Sequence, residues 1–326
     1  MVPDDEHVRQ SDAAIRRTPT PEGVSMKPEN INHEFLDGVL DGSHPDAYYH
    51  FGVTSGDALL ERMRGVRAVV LAGSGERIEE FARRWSAINA GAEILEFPKT
   101  DRFVARYCAD VLFSSHGMGM PSASIAVQEL MRMMFFLKRG DLAALDEVFW
   151  ARVGTSGGVG LPAGTVVLTT EALMVDLRPY RLLNGGIGEY WFDCHFPQDI
   201  VDAILDANSA TTIPMVTGKT VATNEFFLEQ FRLDGAIRME TAESKRAWLD
   251  WIHENGVRNV EMEGALLAAY LNHWGFSKFA MICATLLNRL EGDQVTSTAA
   301  QLHQYSEDSG RVLFNYLATA LPAYRG

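Results

Sequence analysis

Cysteine is scarce in this chain of 326 residues: Cys108, Cys194 and Cys283 are an odd number and widely scattered. That excludes a disulfide framework and a CxxC metal site, and it suits a reducing compartment. Basic charge is also short, with 29 Lys and Arg against 43 Asp and Glu and a net charge of −14. Such a chain repels polyanions at long range, which argues against nucleic acid as a partner. Long apolar runs are missing too. A stretch such as 279–287 is about half of what a membrane span requires, and the N-terminus is acidic where a secretory leader would be basic and then apolar. A cytoplasmic protein with no membrane partner is expected. What remains is ordinary for a folded protein, 47% apolar and 22% charged, in a chain long enough to bury a large core.

Residues 1–33 carry Pro3, Pro19, Pro21 and Pro28 among polar residues with no apolar period, so a flexible N-terminal tail is expected there. Residues 34–326 then form a single domain, since no repeat or linker interrupts them. β-rich apolar runs at 67–72, 110–115, 148–153, 165–169, 257–261 and 279–284 end in glycine-containing turns and read as strands. Between several of them, helical patterns cover 76–90, 122–137, 245–255 and 264–273, the second with Pro121 at its start. Alternation of this kind predicts an α/β sheet. The threonines and glycines of 148–170 break it with a hairpin-like stretch, which predicts a mixed, partly barrel-like sheet.

Several segments carry chemistry. Gly73-Ser74-Gly75-Glu76-Arg77 follows a strand and opens a helix, placing free backbone N–H groups and a guanidinium where an anion could sit, though glycine at such turns often serves only to bend the chain. The segment lacks the third glycine of a dinucleotide fingerprint, and Gly218-Lys219-Thr220 lacks the leading glycine of a P-loop. Arg152-Val153-Gly154-Thr155-Ser156-Gly157-Gly158 combines a guanidinium, two hydroxyls and three glycines, a set suited to a small tetrahedral anion. It also satisfies G-x-S-x-G, but Gly160, Pro162 and Gly164 follow where a nucleophile elbow needs a helix.

The remaining segments have a bland reading beside the chemical one. Glu261 and Glu263 flank Met262 and could accept hydrogen bonds from vicinal hydroxyls, or simply favour a helix start. Gln230 and Arg232 could match a ring of alternating C=O and N–H groups, with Phe226 or Phe227 stacking, or lie on a solvated surface. His50 has no neighbour at metal spacing, and Ser115-His116 adjacency means little because successive strand residues face opposite ways.

Together the segments 115–119 with Pro121 and Ser122, 152–158, 230–235, 259–263 and 285–294 resemble the uridine phosphorylases of the nucleoside phosphorylase family, in their eukaryotic type. The resemblance implies a three-layer α/β/α fold around a mixed, barrel-like sheet. It implies reversible phosphorolysis of uridine, with deoxyuridine a further candidate, to uracil and ribose 1-phosphate in pyrimidine salvage. It assigns Gly73, Arg77, Arg152 and Thr155 to phosphate, completed by Arg102 of a neighbouring subunit. Phe226, Gln230, Arg232, Leu286, Leu287 and Val295 fall to uracil, and Glu261, Met262 and Glu263 to ribose with His50 of the neighbour. Arg289 falls to loop closure. The catalytic set is then Arg77, Arg102, Arg152, Gln230 and Arg232, in a homo-oligomer, most simply a homodimer, that shares its sites. No cofactor or metal is implied, and phosphate is a co-substrate. The residues alone leave open a hydrolase, either a nucleosidase or an esterase through Ser156, and a nucleoside-binding protein without catalysis.

Overall fold

The structure, a computed structural model, describes residues 26–44, 47–186 and 188–321. In chain order its strands are β1 (Ala47–Tyr48), β2 (Val53–Thr54), β3 (Ala68–Ala72), β4 (Leu95–Glu96), β5 (Ala105–Cys108), β6 (Val111–Ser115), β7 (Phe149–Gly158), β8 (Val166–Leu173), β9 (Arg181–Asn184), β10 (Gly188–Trp191), β11 (Met215–Ala222), β12 (Val257–Glu261) and β13 (Phe279–Asn288). Nine of them form one mixed sheet in the order β12-β11-β8-β13-β7-β3-β6-β5-β4. Because β12 also pairs with β7, through Asn259↔Gly158 and Val260↔Gly157, the strands β7, β13, β8, β11 and β12 close into a five-stranded barrel. The other four extend it as an open wing.

Alternation along β3 shows how the strands join two cores. Val69 and Leu71 face one cluster with Trp150, Phe279 and the helices Met120–Leu137 and Gly264–Trp274. Ala68, Val70 and Ala72 face another with Phe113, Ile282 and the helices Gly75–Ile88, Gln198–Ala207 and Ala299–Ala320. Apolar side chains on both faces of a strand require a layer on each side, and the result is the expected α/β/α stack around a mixed, barrel-like sheet.

Two expectations need correction. The hairpin-like reading of 148–170 fails because β7 and β8 do not pair: β13 lies between them, parallel to β7 and antiparallel to β8. The tail does not extend to residue 33. Met26 and Ile31 are buried in the first core, the Lys27 N–H donates to the Trp274 carbonyl, and Asn32 caps a helix beginning at His33; apolar contact outweighs the polar look of that stretch. The rest of the proposed tail, 1–25, lies outside the described residues. Among the described residues, no helix is long and apolar enough to cross a membrane.

Candidate active site

The carboxyl ends of β3, β6, β7, β11, β12 and β13 surround a cavity of about 420 Å³, the place where strand ends leave backbone groups free for a ligand. At one end, Gly73 and Ser74 lead from β3 into the Gly75–Ile88 helix, with Ser74 as its N-cap. Arg77 stands in the first turn of that helix and lines the cavity. Its guanidinium has no hydrogen bond or ion pair among the described residues, and burial together with neighbouring Arg152 holds its pKa below the usual guanidinium value. A cation facing the cavity without an ion pair of its own favours binding an anion there.

Arg152 arrives from the middle of β7, whose glycines make room for it. A Cβ on Gly154 would meet the Arg152 Nη1 at 2.8 Å, and one on Gly157 would meet the Arg289 Cγ and Cδ at 3.0 Å. The Arg152 guanidinium is buried, donates to Glu263, lies 3.0 Å from Glu261, and donates from Nη1 to the Cys283 Sγ at 3.0 Å. Burial works against its charge, but the two carboxylates more than restore it. Burial pushes Glu261 up to about 7, with Arg152 opposing and Glu263 adding to the rise. Burial also works to raise Glu263, but Arg152, His116 and the Gly119 N–H keep it below the usual carboxylate range. Glu261 in turn accepts the N–H groups of Glu263 at 2.8 Å and Gly264 at 2.9 Å, which fixes the turn from β12 into the next helix.

At the other end, the segment after β11 supplies Phe226, Gln230 and Arg232. Gln230 is buried and its amide is oriented by its partners: Nε2 donates to the Thr223 Oγ1 at 3.0 Å, while Oε1 accepts from the Arg289 Nη1 at 3.2 Å. Arg289 also donates to the Gln230 carbonyl at 2.6 Å and pairs with Asp293 at 3.1 Å. Arg232 is tied to Asp234 at 2.9 and 2.6 Å and packs over the Phe226 ring at 4.6 Å. Leu286, Leu287 and Val295 supply apolar wall, and Thr155 and Met262 complete the middle.

Of the residues that the resemblance assigns to the site, all but Arg102 and His50 line this cavity, whereas Phe227, the other stacking candidate, does not. Arg102 is exposed and paired with Asp101 at 3.7 Å, and the His50 Nδ1 is held by Glu129 at 2.6 Å; neither lines the cavity in a single chain. Ser156 does line it, but on strand β7, with its Oγ accepting from the Asn259 Nδ2 at 2.9 Å and no helix following directly, so the elbow geometry of a serine hydrolase is absent there. Sequence reasoning gave no role to His116 and Cys283. Cys283 reads as one apolar residue of a strand, and only the parallel register Cys283↔Gly154 brings its sulfur to Arg152.

Residues 67–318 match the sequence profile of the phosphorylase superfamily. Uridine phosphorylase 1 of Mus musculus is 33% identical over 287 residues, covering 85% of this chain and 89% of the relative. A crystal structure of uridine phosphorylase from Schistosoma mansoni in complex with uracil superposes with a TM-score of 0.79 at 30% identity, covering 89% of this chain and 98% of that one. A protein of the same organism named inactive uridine phosphorylase B is also 30% identical, over 83% of this chain and 91% of its own. Overall similarity therefore does not separate active from inactive members; the side chains of the site must.

Proposed function

Because the chain belongs to the phosphorylase superfamily and groups with its uridine phosphorylases, we infer that it catalyses the reversible phosphorolysis of uridine to uracil and ribose 1-phosphate. The observation that carries this reading is a single cavity with Arg77 and Arg152 at one end, Glu261 and Glu263 in the middle, and an oriented Gln230 at the other. Phosphate held by Arg77, Arg152, Thr155 and Gly73, in the turn before the helix, would attack ribose C1′ as the bond to uracil N1 breaks. Glu261, Met262 and Glu263 would hold the ribose hydroxyls. Negative charge spreading into the departing base meets Gln230 and Arg232, with Phe226, Leu286, Leu287 and Val295 around the ring. Arg289, hydrogen-bonded to the Gln230 side chain and carbonyl, would help close the loop over the base.

Locality lets an acidic chain do this. A unit charge pair near 4 Å contributes roughly 4 kcal/mol at an effective dielectric of 20, whereas exposed charges beyond about 8 to 10 Å are screened. Holding both substrates in line can add roughly 7 to 11 kcal/mol, so neither a covalent intermediate nor a cofactor is required. In this reading Arg102 and His50 reach the cavity of a second copy, most simply in a homodimer, in the cytoplasm and with no nucleic-acid or membrane partner. Ultraviolet monitoring of the purified protein with uridine, with and without phosphate, tests the reading. Cleavage only when phosphate is present supports it. Equal cleavage without phosphate would identify a nucleosidase, and uridine binding without turnover a non-catalytic receptor.

A further inference from the structure

His116 follows the end of β6 and lines the cavity, yet the reaction outlined above does not use it. Its backbone is fully employed: the N–H donates to the Ala72 carbonyl at 2.9 Å, and the carbonyl accepts from the Ser122 Oγ at 2.6 Å. The residue is 2% exposed, and neither Nδ1 nor Nε2 has a hydrogen-bond partner among the described residues. Leaving a buried polar side chain unpaired is costly, so the position calls for a ligand that completes it.

Three side chains from three other elements define what that ligand is. Arg77 of the Gly75–Ile88 helix and Arg152 of β7 bear on the ring as cations, and Glu263, after β12, bears on it as an anion. Glu263 is already occupied, by the Arg152 guanidinium and the Gly119 N–H. A neutral imidazole turns its lone pair toward cations and its N–H toward the next available oxyanion. We propose that His116 is a phosphate-contacting residue, whose neutral ring donates one N–H to an oxygen of the inorganic phosphate held between Arg77 and Arg152.

The setting favours the neutral form: burial first, then Arg152 and Arg77, outweigh Glu263 and bring the imidazole down to about 4. His116 thus adds a donor to the anion cradle without adding a third positive charge, and no proton changes hands. The inference rests on the phosphorolysis reading for its anion, but the two can fail separately.

The test is an NMR titration of the wild-type protein with inorganic phosphate, following the ring nitrogens of His116 assigned through its own backbone, alongside steady-state kinetics of His116→Gln. The ring signals are expected to shift with phosphate and not with added chloride. In the variant, KM for phosphate should rise roughly 10- to 100-fold, the loss of one hydrogen bond to a charged group, with KM for uridine within about twofold. Phosphate saturation that leaves the ring signals unmoved overturns the inference, even if the variant fails to fold. So does a variant whose KM for phosphate is unchanged, or whose two KM values rise together as a merely structural role would require. A ring that responds to phosphate in a protein that never cleaves uridine would sustain the inference and sink the phosphorolysis reading instead.

Discussion

At Arg152 the same charge serves folding and the proposed anion site. Two buried carboxylates surround the guanidinium, so Arg152→Ala removes the cation that compensates them. Breaking a buried pair from one side costs about 3–5 kcal/mol, and a clear drop in the urea midpoint is expected along with lost turnover. An unchanged midpoint would mean that Glu261 and Glu263 do not depend on Arg152. His116 gives a second expectation at this scale. An unfolded histidine takes up its proton near 6.5, whereas the buried ring waits until about 4. Its contribution to stability is therefore complete above 6.5 and is lost as pH falls from there toward 4. In phosphate-free buffer, the melting temperature of His116→Gln should fall less steeply than wild type across that window; parallel curves would contradict the burial of a neutral ring. Glu261 works in the opposite direction: a carboxyl raised to about 7 weakens the fold as pH climbs from about 4.5 through 7, which is why the comparison must be between these two proteins. Arg77 and Arg152 were legible in the sequence because glycines and hydroxyls surround them. His116 was not, because its meaning lies in having no partner, which only three-dimensional packing reveals.

The base-facing segment after β11 depends on one carboxylate as an element-scale brace. Asp293 pairs with Lys245 at 2.6 Å and with Arg289, and accepts the Leu233 N–H at 3.2 Å. It thereby joins the Ala242–Glu254 helix, the loop that carries Gln230 and the loop after β13. Asp293→Ala should loosen Gln230 through Arg289 and raise KM for uridine by roughly tenfold, on the scale of a charged hydrogen bond, while KM for phosphate stays near wild type. Equal rises in both would place the brace elsewhere. In the same segment Phe231 adopts φ +54° and stacks on Trp248 at 4.6 Å, so its ring packs against the helix while Gln230 and Arg232 on either side face the cavity. Elements with strong local patterns were readable, such as β12 at Val257–Glu261. The Ala299–Ala320 helix was not anticipated: polar residues crowd its first half, and its apolar stripe, Val312, Leu313, Phe314, Tyr316 and Leu317, begins late. Nor was the insertion of β13 between β7 and β8, since pairing partners distant in sequence leave no local mark.

At the scale of the whole molecule, four of the barrel's strands, β7, β11, β12 and β13, bring residues to one cavity, and Arg102 and His50 lie away from it. If each site borrows Arg102 from a twofold partner, mixing Arg102→Ala with Arg152→Ala chains makes heterodimers with one intact and one doubly defective site. Random mixing puts half the chains in such pairs, so activity should recover to about a quarter of wild type. No recovery after confirmed subunit exchange would confine the site to one chain. The central claim, that a phosphate oxygen is the nucleophile at ribose C1′, has a direct measurement. Uridine is cleaved with phosphate bearing four 18O atoms, and the ribose product is analysed by mass spectrometry and 31P NMR. The account predicts ribose 1-phosphate that keeps all four labels, formed in step with uracil; free ribose, or a sugar phosphate with a label missing, would contradict it.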